Sequence, residues 1–259
     1  MKYCYYLLLC TCVLAACSNT SPPEQQAMTA MGSVDTVLKE TITIHPIYHG
    51  STVLTQGDRT IFIDPYGGAE RYEDFAEPDL VLITHTHPDH LDTATLSGFD
   101  LSHATLVAPQ AVADALPDNP FARTQVLANG ERYDWQGVHI TAVPAYNPPP
   151  KENFHPKGKF NGYVLDFDGE RYYFSGDTEG VDEMRALEDI DFAFVAMNLP
   201  YTMDVEQAAS AVLDFAPRVV YPYHYRNQDG SFSDLERFRS LVEEQNPAID
   251  VRVEDWYKE

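Results

Sequence analysis

The chain has 259 residues, enough for one large domain or two small ones, and its 44% hydrophobic content is ordinary for a soluble globular fold. Its 40 acidic residues outnumber 17 basic ones, which gives a formal net charge of −23. A surface of this sign repels polyanions, and the largest basic cluster is Lys151, Lys157 and Lys159. We therefore exclude nucleic acid as a partner.

The first 16 residues have the pattern of a signal peptide. Lys2 supplies a short positive region, and an uncharged, mainly apolar run follows that is too short to span a bilayer comfortably. The run ends in Leu14-Ala15-Ala16-Cys17, which resembles a bacterial lipobox and implies cleavage before Cys17 and its acylation. An ordinary secretory signal and a buried helix are the alternatives. The other three cysteines leave with the signal peptide, so the mature chain offers no cysteine ligand or nucleophile.

The residues after Cys17 predict where the protein is held. Ser18 stands at the position where an Asp would oppose sorting to the outer membrane. We expect an exported protein, lipid-anchored to the cell envelope at the periplasmic face of the outer membrane. Residues 17–40 contain few large apolar side chains, which is typical of a flexible tether. The predicted organisation is a signal peptide at 1–16, a tether at 17–40 and one domain at 41–259.

Beyond residue 40, short strand patterns alternate with turn signals. Gly57-Asp58 and Asp168-Gly169 are predicted as hairpin turns. The predicted strands are 41–48, 52–56, 60–64, 80–84, 105–108, 138–143, 163–167, 171–175, 192–196 and 219–221. Helices are predicted over 204–215, with Asp204 as the N-cap, and over 233–245. Strands precede and follow helices in both halves, so the fold class is α/β (α+β) with two sheets covered by helices.

Metal-binding residue types follow the buried strand at 80–84, in the order Thr84-His85-Thr86-His87-Pro88-Asp89-His90. In an extended segment His85 and His87 point to the same side, so both imidazoles can bind one ion. Pro88 keeps His87 extended and can begin a turn, after which Asp89 and His90 face a second ion. Imidazole and carboxylate together suit zinc, and also iron or manganese.

His-x-His-x-Asp-His is the signature of the metallo-β-lactamase superfamily, and the chain resembles that superfamily over residues 41–259. Further segments match in order at 61–65, 154–158, 175–178 and 221–225. The resemblance implies a four-layer αββα sandwich with the site at one edge. It also implies that His85, His87 and His155 bind the first metal ion, that Asp89, His90 and His224 bind the second, and that Asp177 bridges them.

Individual residues within the matching segments distinguish between functions known in the superfamily. His87 stands where redox di-iron members have Glu, which favours hydrolysis, and true β-lactamases lack the bridging Asp177. The pattern is most similar to the group that contains ascorbate-phosphate lactonases and phospholipase D-like phosphodiesterases. Residues 197–203 lack the glycines of many relatives, which leaves the substrate open.

The metal ions suggest the mechanism. Two cations would lower the pKa of a bridging water, and the resulting hydroxide would attack a carbonyl carbon or phosphorus, with Asp89 as the catalytic carboxylate. We expect a hydrolase with two divalent ions, Zn²⁺ before Mn²⁺ or Fe, that acts on a small or lipid-derived ester, lactone or phosphodiester. A non-catalytic metal-binding surface lipoprotein and a di-iron redox protein are the alternatives.

Seven more side chains are candidates for contact with a ligand or the substrate: Asp64, His49, Tyr146, Asn198, Tyr201, Tyr223 and Arg226. Asp64 fits equally well as an acceptor for a ligand histidine and as a turn residue before proline. For His49 we favour an ordinary loop position over a pocket position. Arg226 suits a substrate phosphate or carboxylate, but with 40 acidic residues available we favour an ion pair within the protein.

Overall fold

The computed structural model describes Met1, residues 40–116 and residues 118–258. The predicted lipidation site Cys17 lies outside the described residues, as does all of the signal peptide except Met1 and all of the tether except Glu40. The lipid anchor and the boundaries at residues 16 and 40 therefore stay predictions. In the described ranges, no helix is both long and apolar enough to cross a membrane.

A six-stranded sheet occupies the first half of the described domain, and its strands lie side by side in chain order. The first three strands pair antiparallel and the later ones parallel. The predicted turn at Gly57-Asp58 is present, and Gly57 has a φ of 56°, which glycine adopts without strain. The strands are β1 Ile42–Tyr48, β2 Ser51–Gln56, β3 Arg59–Ile63, β4 Leu80–Leu82, β5 Thr105–Ala108 and β6 Arg123–Val126.

A seven-stranded sheet occupies the second half and again follows chain order. Its first four strands pair antiparallel, with the predicted Asp168-Gly169 turn between the third and fourth, and its last four pair parallel. The strands are β7 Arg132–Trp135, β8 Val138–Ala145, β9 Phe160–Phe167, β10 Glu170–Phe174, β11 Phe192–Ala196, β12 Val219–Tyr223 and β13 Asp250–Val251.

The two sheets share one central hydrophobic core. Leu54 and Leu82 from the first sheet belong to the same buried cluster as Ile140 and Phe174 from the second. Each of these side chains is at most 1% exposed, so the inner faces of both sheets are removed from water. This sheet-on-sheet core is the centre of the predicted sandwich.

Helices cover the outer faces and complete the four layers, so the predicted αββα fold class is confirmed. Leu96 and Val112 pack with the outer face of the first sheet, and Val212 and Phe238 with that of the second. Asp204 caps its helix as predicted, because its carboxylate accepts a hydrogen bond from the Gln207 N–H at 2.7 Å. The helices are α1 Thr93–Leu96, α2 Gln110–Asp114, α3 Asp182–Arg185, α4 Val205–Phe215 and α5 Leu235–Glu243, with a 3₁₀ turn at Ala69–Tyr72.

Three strands and the shorter helices were not predicted from the sequence. Strands β6 and β7 lie at sheet edges and carry exposed arginines, at positions 123 and 132, so they lack an apolar run. Strand β13 has only two residues. Helices α1, α2 and α3 have four or five residues, which is too short for a 3.6-residue period to be recognised.

Two buried tyrosines on neighbouring strands allow a matched test of polar burial. The Tyr163 hydroxyl donates to the Ile83 carbonyl oxygen at 2.9 Å, whereas the Tyr173 hydroxyl has no hydrogen-bond partner among the described residues. An unpaired buried hydroxyl costs roughly 1–3 kcal/mol, and a hydrogen bond contributes about 1 kcal/mol net. We expect Tyr173→Phe to raise the free energy of unfolding by about 1 kcal/mol in urea denaturation, and Tyr163→Phe to lower it by a similar amount. Equal destabilisation by both substitutions would show that the Tyr173 hydroxyl has a partner.

Candidate metal centre

Every predicted metal ligand lies in a loop at the end of a strand. The motif from His85 to His90 follows β4, His155 precedes β9, Asp177 follows β10 and His224 follows β12. Backbone hydrogen bonds join these loops: the Asn161 N–H donates to the Thr84 oxygen at 3.1 Å, and the His224 N–H donates to the His49 oxygen at 3.0 Å. Residues from the two sheets are thereby brought to one edge of the sandwich.

The backbone is strained at three residues of this edge. His49, Asp64 and His224 have φ values of 61°, 45° and 48°, which lie in the left-handed region that non-glycine residues seldom adopt. Such strain persists where the surrounding structure fixes it, and it concentrates at functional sites. Its presence at three residues of one edge indicates that side-chain placement there is under tight constraint.

The first donor cluster contains His85, His87, His155 and Asp177, and one ligand atom from each lies within 4.8 Å of the others. His85 Nε2 is 3.1 Å from His87 Nδ1, and Asp177 Oδ2 is 3.5 Å from His155 Nε2 and 3.9 Å from His85 Nε2. All but His87 are buried. These are the residues that the sequence resemblance assigned to the first ion.

The second donor cluster contains Asp89, His90, His224 and the other oxygen of Asp177. His90 Nε2 is 3.1 Å from His224 Nε2 and 3.4 Å from Asp177 Oδ1. Asp89 Oδ2 lies 3.3 Å from His224 Nε2 and 4.0 Å from His90 Nε2. All seven predicted ligands are therefore brought together, with Asp177 between the two clusters.

The donor set fits a pair of metal ions. A tetrahedral ion with bonds of about 2.1 Å places neighbouring ligand atoms about 3.4 Å apart, which is close to the separations observed in both clusters. His155 Nε2 and Asp177 Oδ1 are also buried without a hydrogen-bond partner in the described part of the protein. Unpaired buried polar atoms that converge on one point are the expected environment of a bound cation.

Hydrogen bonds orient three of the buried ligand histidines, His85, His90 and His155. Asp64 accepts from His90 Nδ1 at 2.7 Å and from the Thr84 hydroxyl at 2.6 Å. Because that hydroxyl donates to Asp64, it accepts from His85 Nδ1 at 2.9 Å. Asn147 Oδ1 accepts in the same way from His155 Nδ1. In each of these rings the Nδ1 is the hydrogen-bonded nitrogen, and the Nε2 faces the clusters, where it can bind a cation.

These supporting residues were only partly anticipated. The sequence allowed two roles for Asp64, an acceptor for a ligand histidine or a turn residue. The fully buried Asp64 has the first role. Thr84 and Asn147 were missed as functional residues. Thr84 is adjacent to the motif, which is a usable signal, whereas Asn147 is eight residues from His155 and no pattern marks it.

The electrostatics of the clusters favour cation binding. Burial works to raise the pKa of Asp177, but the imidazoles of His224 and His90 outweigh it and keep that pKa well below the ordinary carboxyl value. Burial lowers the pKa of His155 to about 4 and, together with His90, lowers that of His85 well below its ordinary value. At neutral pH the carboxylate is ionised and these two imidazoles offer free lone pairs.

A cleft of about 560 Å³ opens onto the two clusters. His87, Asp89 and Asp177 line its floor, and the candidates Asn198 and Tyr201 line its wall. Two other candidates do not reach it. The buried Tyr223 hydroxyl accepts from the Gly176 N–H at 3.0 Å, and the Tyr146 hydroxyl is bonded to Glu183 and Lys157. Tyr223 and Tyr146 therefore support the scaffold and offer no group to a substrate.

His49 and Arg226 differ from the favoured sequence interpretations. His49 is buried in the cleft, and its Nε2 lies 3.2 Å from Asp89 Oδ2. His49 does lie in the turn between β1 and β2, but its side chain lines the cleft, so the pocket position is the correct interpretation. The neighbouring Gly50 leaves room for the ligand histidines, because an added Cβ would lie 3.0 Å from His90 Cε1 and 3.4 Å from His224 Cδ2. Arg226 also lines the cleft, and no carboxylate of the described residues lies within 4 Å of its side chain, so none of them forms the ion pair that was favoured.

Comparisons with known proteins agree with this fold and this edge. The profile of the beta-lactamase superfamily domain matches residues 59–225. A UPF0173 metal-dependent hydrolase from Thermococcus onnurineus is 33% identical over 195 residues, which are 72% of this chain and 86% of that protein. A crystal structure of a protein from Parabacteroides distasonis, described as a metal-dependent hydrolase, is 38% identical with a TM-score of 0.73, and the match covers 83% of this chain and 93% of that one.

A more distant structure gives the same result. Igni18, a metallo hydrolase from Ignicoccus hospitalis, is 25% identical with a TM-score of 0.68, over 83% of this chain and 95% of that one. Fold, donor clusters and similarity together define a metal-dependent hydrolase of the metallo-β-lactamase superfamily. Within that superfamily, the chain belongs to the UPF0173 metal-dependent hydrolases.

Loss of one donor should empty one cluster selectively. We expect the purified mature protein to carry about two divalent ions per chain and His155→Ala to carry about one, because the second cluster keeps all its donors. Elemental analysis after dialysis measures this. His139→Ala is the control, since His139 is exposed and pairs with Asp134 outside the cleft. Retention of both ions by His155→Ala would remove His155 from the ligand set.

Proposed function

We propose that the protein is a dinuclear hydrolase whose two donor clusters each hold a divalent cation. The observation that carries this proposal is the placement of Asp177, with Oδ2 3.5 Å from His155 Nε2 and Oδ1 3.4 Å from His90 Nε2. One oxygen toward each set of imidazoles is what a bridging ligand requires. The histidine-rich donor set favours Zn²⁺, with Mn²⁺ or Fe as alternatives. When bound, the cations supply a water that ionises near neutral pH and stabilise negative charge on the substrate oxygen.

Asp89 is the catalytic residue in this proposal. Its side chain is 31% exposed and lines the cleft, so it can touch both water and substrate. Burial works to raise the pKa of Asp89, but the neighbouring His90 and hydrogen bonds from His224 and His49 keep it far below the ordinary carboxyl value. An ionised carboxylate at this point can orient the attacking water and accept its proton.

His49 is proposed to position Asp89. The Tyr257 hydroxyl accepts from the Arg226 backbone N–H at 3.2 Å, so its own hydrogen can be donated to His49 Nδ1 at 2.9 Å. An ionised carboxylate only accepts, so the hydrogen of His49 lies on Nε2, which faces Asp89. Burial, with His224 nearby, lowers the pKa of His49 to about 4, so the ring is neutral and donates to Asp89 through this single hydrogen.

The proposed substrate is a small or lipid-derived ester, lactone or phosphodiester. A cleft of about 560 Å³ has the volume of a small-molecule site, and Pro88, Phe154 and Tyr201 give it apolar walls. The resemblance to ascorbate-phosphate lactonases and phospholipase D-like phosphodiesterases supports the same range of substrates. Acylation of Cys17 would hold the enzyme at the envelope membrane, where lipid-derived esters are produced.

Activity should depend on Asp89 and His87. We expect metal-dependent hydrolysis of p-nitrophenyl phosphodiesters, lactones or N-acyl phospholipids by the mature protein, and a loss of about 100-fold or more in kcat for Asp89→Asn and His87→Ala. His139→Ala should retain wild-type activity. Metal binding without turnover across this panel would favour a non-catalytic lipoprotein, and a coloured iron protein without hydrolysis would favour redox chemistry.

If His49 positions Asp89, two substitutions of similar size at His49 should have different effects on kcat. We expect His49→Leu to lower kcat about 10- to 100-fold, and His49→Gln to recover much of this loss because its amide can still donate toward Asp89. Tyr257→Phe removes only the hydroxyl that orients His49 and should lower kcat with little change in KM. Steady-state kinetics, with metal content and melting temperature as controls, test this. Equal kcat values for the Leu and Gln variants would reduce His49 to a packing role.

A further inference from the structure

Among the residues that the structure describes, Arg226 is a half-buried cation with no carboxylate partner. The protein has 40 acidic residues, yet no carboxylate lies within 4 Å of this guanidinium in the residues that the structure describes. Two lysines near the cleft differ in this respect, because Lys151 pairs with Glu179 at 2.7 Å and Lys157 with Glu183 at 2.9 Å. Burial of an unpaired charge is unfavourable, so its persistence indicates a partner that binds from outside the chain.

Aromatic side chains fix the guanidinium in place. Its carbon lies 5.0 Å from the ring centre of Tyr257 and 5.7 Å from that of Tyr48, and its Nη2 donates to the Tyr48 hydroxyl at 3.2 Å. Tyr48 is itself held, since Arg71 lies 4.2 Å from its ring centre and Tyr66 stacks on it at 5.7 Å. Stacking orients the planar donor group while most of its N–H groups stay free.

Arg226 and the candidate metal centre border the same cleft. Arg226 lines the same cavity as His87, Asp89 and Asp177, yet it forms no ion pair with either carboxylate. No ion pair therefore closes the space between Arg226 and the carboxylates of Asp89 and Asp177, and this space can admit a ligand group. A chain with a net charge of −23 repels anions, so an anionic substrate needs a local cation of this kind to be retained.

We propose that Arg226 binds an oxyanion of the substrate, so that the enzyme acts on esters that carry a phosphate or carboxylate beside the scissile bond. This inference rests on the proposed hydrolase function and narrows its substrate class. A planar guanidinium matches two oxygens of either group with two parallel N–H donors. For a phosphodiester, the bound oxyanion belongs to the scissile group itself. For a carboxylate ester or lactone, it is a separate acidic substituent.

Three chromogenic esters with one leaving group test the proposal: mono-4-nitrophenyl glutarate, neutral 4-nitrophenyl valerate, and methyl 4-nitrophenyl phosphate. We expect Arg226→Met to lower kcat/KM for the anionic esters about 10- to 100-fold and to change the neutral ester less than threefold. Arg226→Lys should be intermediate. Arg237→Met is the matched control, because it removes an exposed cation on α5 that pairs with Glu206 and does not line the cleft. The kcat/KM values of the two anionic esters show whether the site prefers a carboxylate or a phosphate.

Binding measurements keep the inference separate from the hydrolase proposal. Calorimetry with inorganic phosphate and with glutarate, on metal-loaded protein, should show at least tenfold weaker binding of one or both to Arg226→Met than to wild type and Arg237→Met. If this difference appears while no ester is hydrolysed, the hydrolase proposal fails and the anion site stands. Equal losses on charged and neutral esters, or equal anion affinity in wild type and Arg226→Met, would overturn the role of Arg226.

Discussion

The buried carboxylate of Asp64 is the contact on which the metal centre depends. It lies at the end of β3, is fully buried, and accepts hydrogen bonds from the Thr84 backbone, the Thr84 hydroxyl and His90. A buried carboxylate is tolerated only when its lone pairs are satisfied in this way. By satisfying them, the loop after β4 acquires one conformation, in which His85 and His90 point their Nε2 atoms at the clusters. The remaining ligands can complete the two donor clusters only when this loop has that conformation.

The fold class could largely be predicted from local signals in the sequence, whereas the full ligand set came from the resemblance to the metallo-β-lactamase superfamily. The strand before His85, the close spacing of His85 to His90 and the strand-end position of Asp177 are visible in short windows of sequence. Edge strands such as β6 were missed, since their pairing is set by a neighbour and not by an apolar run of their own. A hydrophobic sequence pattern therefore identifies strands that are buried on both faces more reliably than strands that are half exposed.

The supporting and substrate-facing residues depend on partners that are distant in the chain. His49 is bonded to Tyr257, 208 positions away, and Arg226 to Tyr48, 178 positions away. No periodicity or motif connects such pairs. The turn position before Gly50 favoured an ordinary loop for His49, and the excess of acidic residues favoured an ion pair for Arg226. The cleft instead places the Tyr257 hydroxyl and the Asp89 carboxylate beside His49, and the rings of Tyr48 and Tyr257 beside Arg226.

The division of ligands between the sheets links catalysis to mechanical integrity. His85, His87, Asp89 and His90 follow a strand of one sheet, whereas His155, Asp177 and His224 flank strands of the other. Cations shared between these groups would cross-link the halves of the sandwich much as a disulfide does, although the mature chain is predicted to have no cysteine pair. A chelator would then do more than silence the enzyme. It would weaken the contact between the two sheets and make the protein more susceptible to proteolysis.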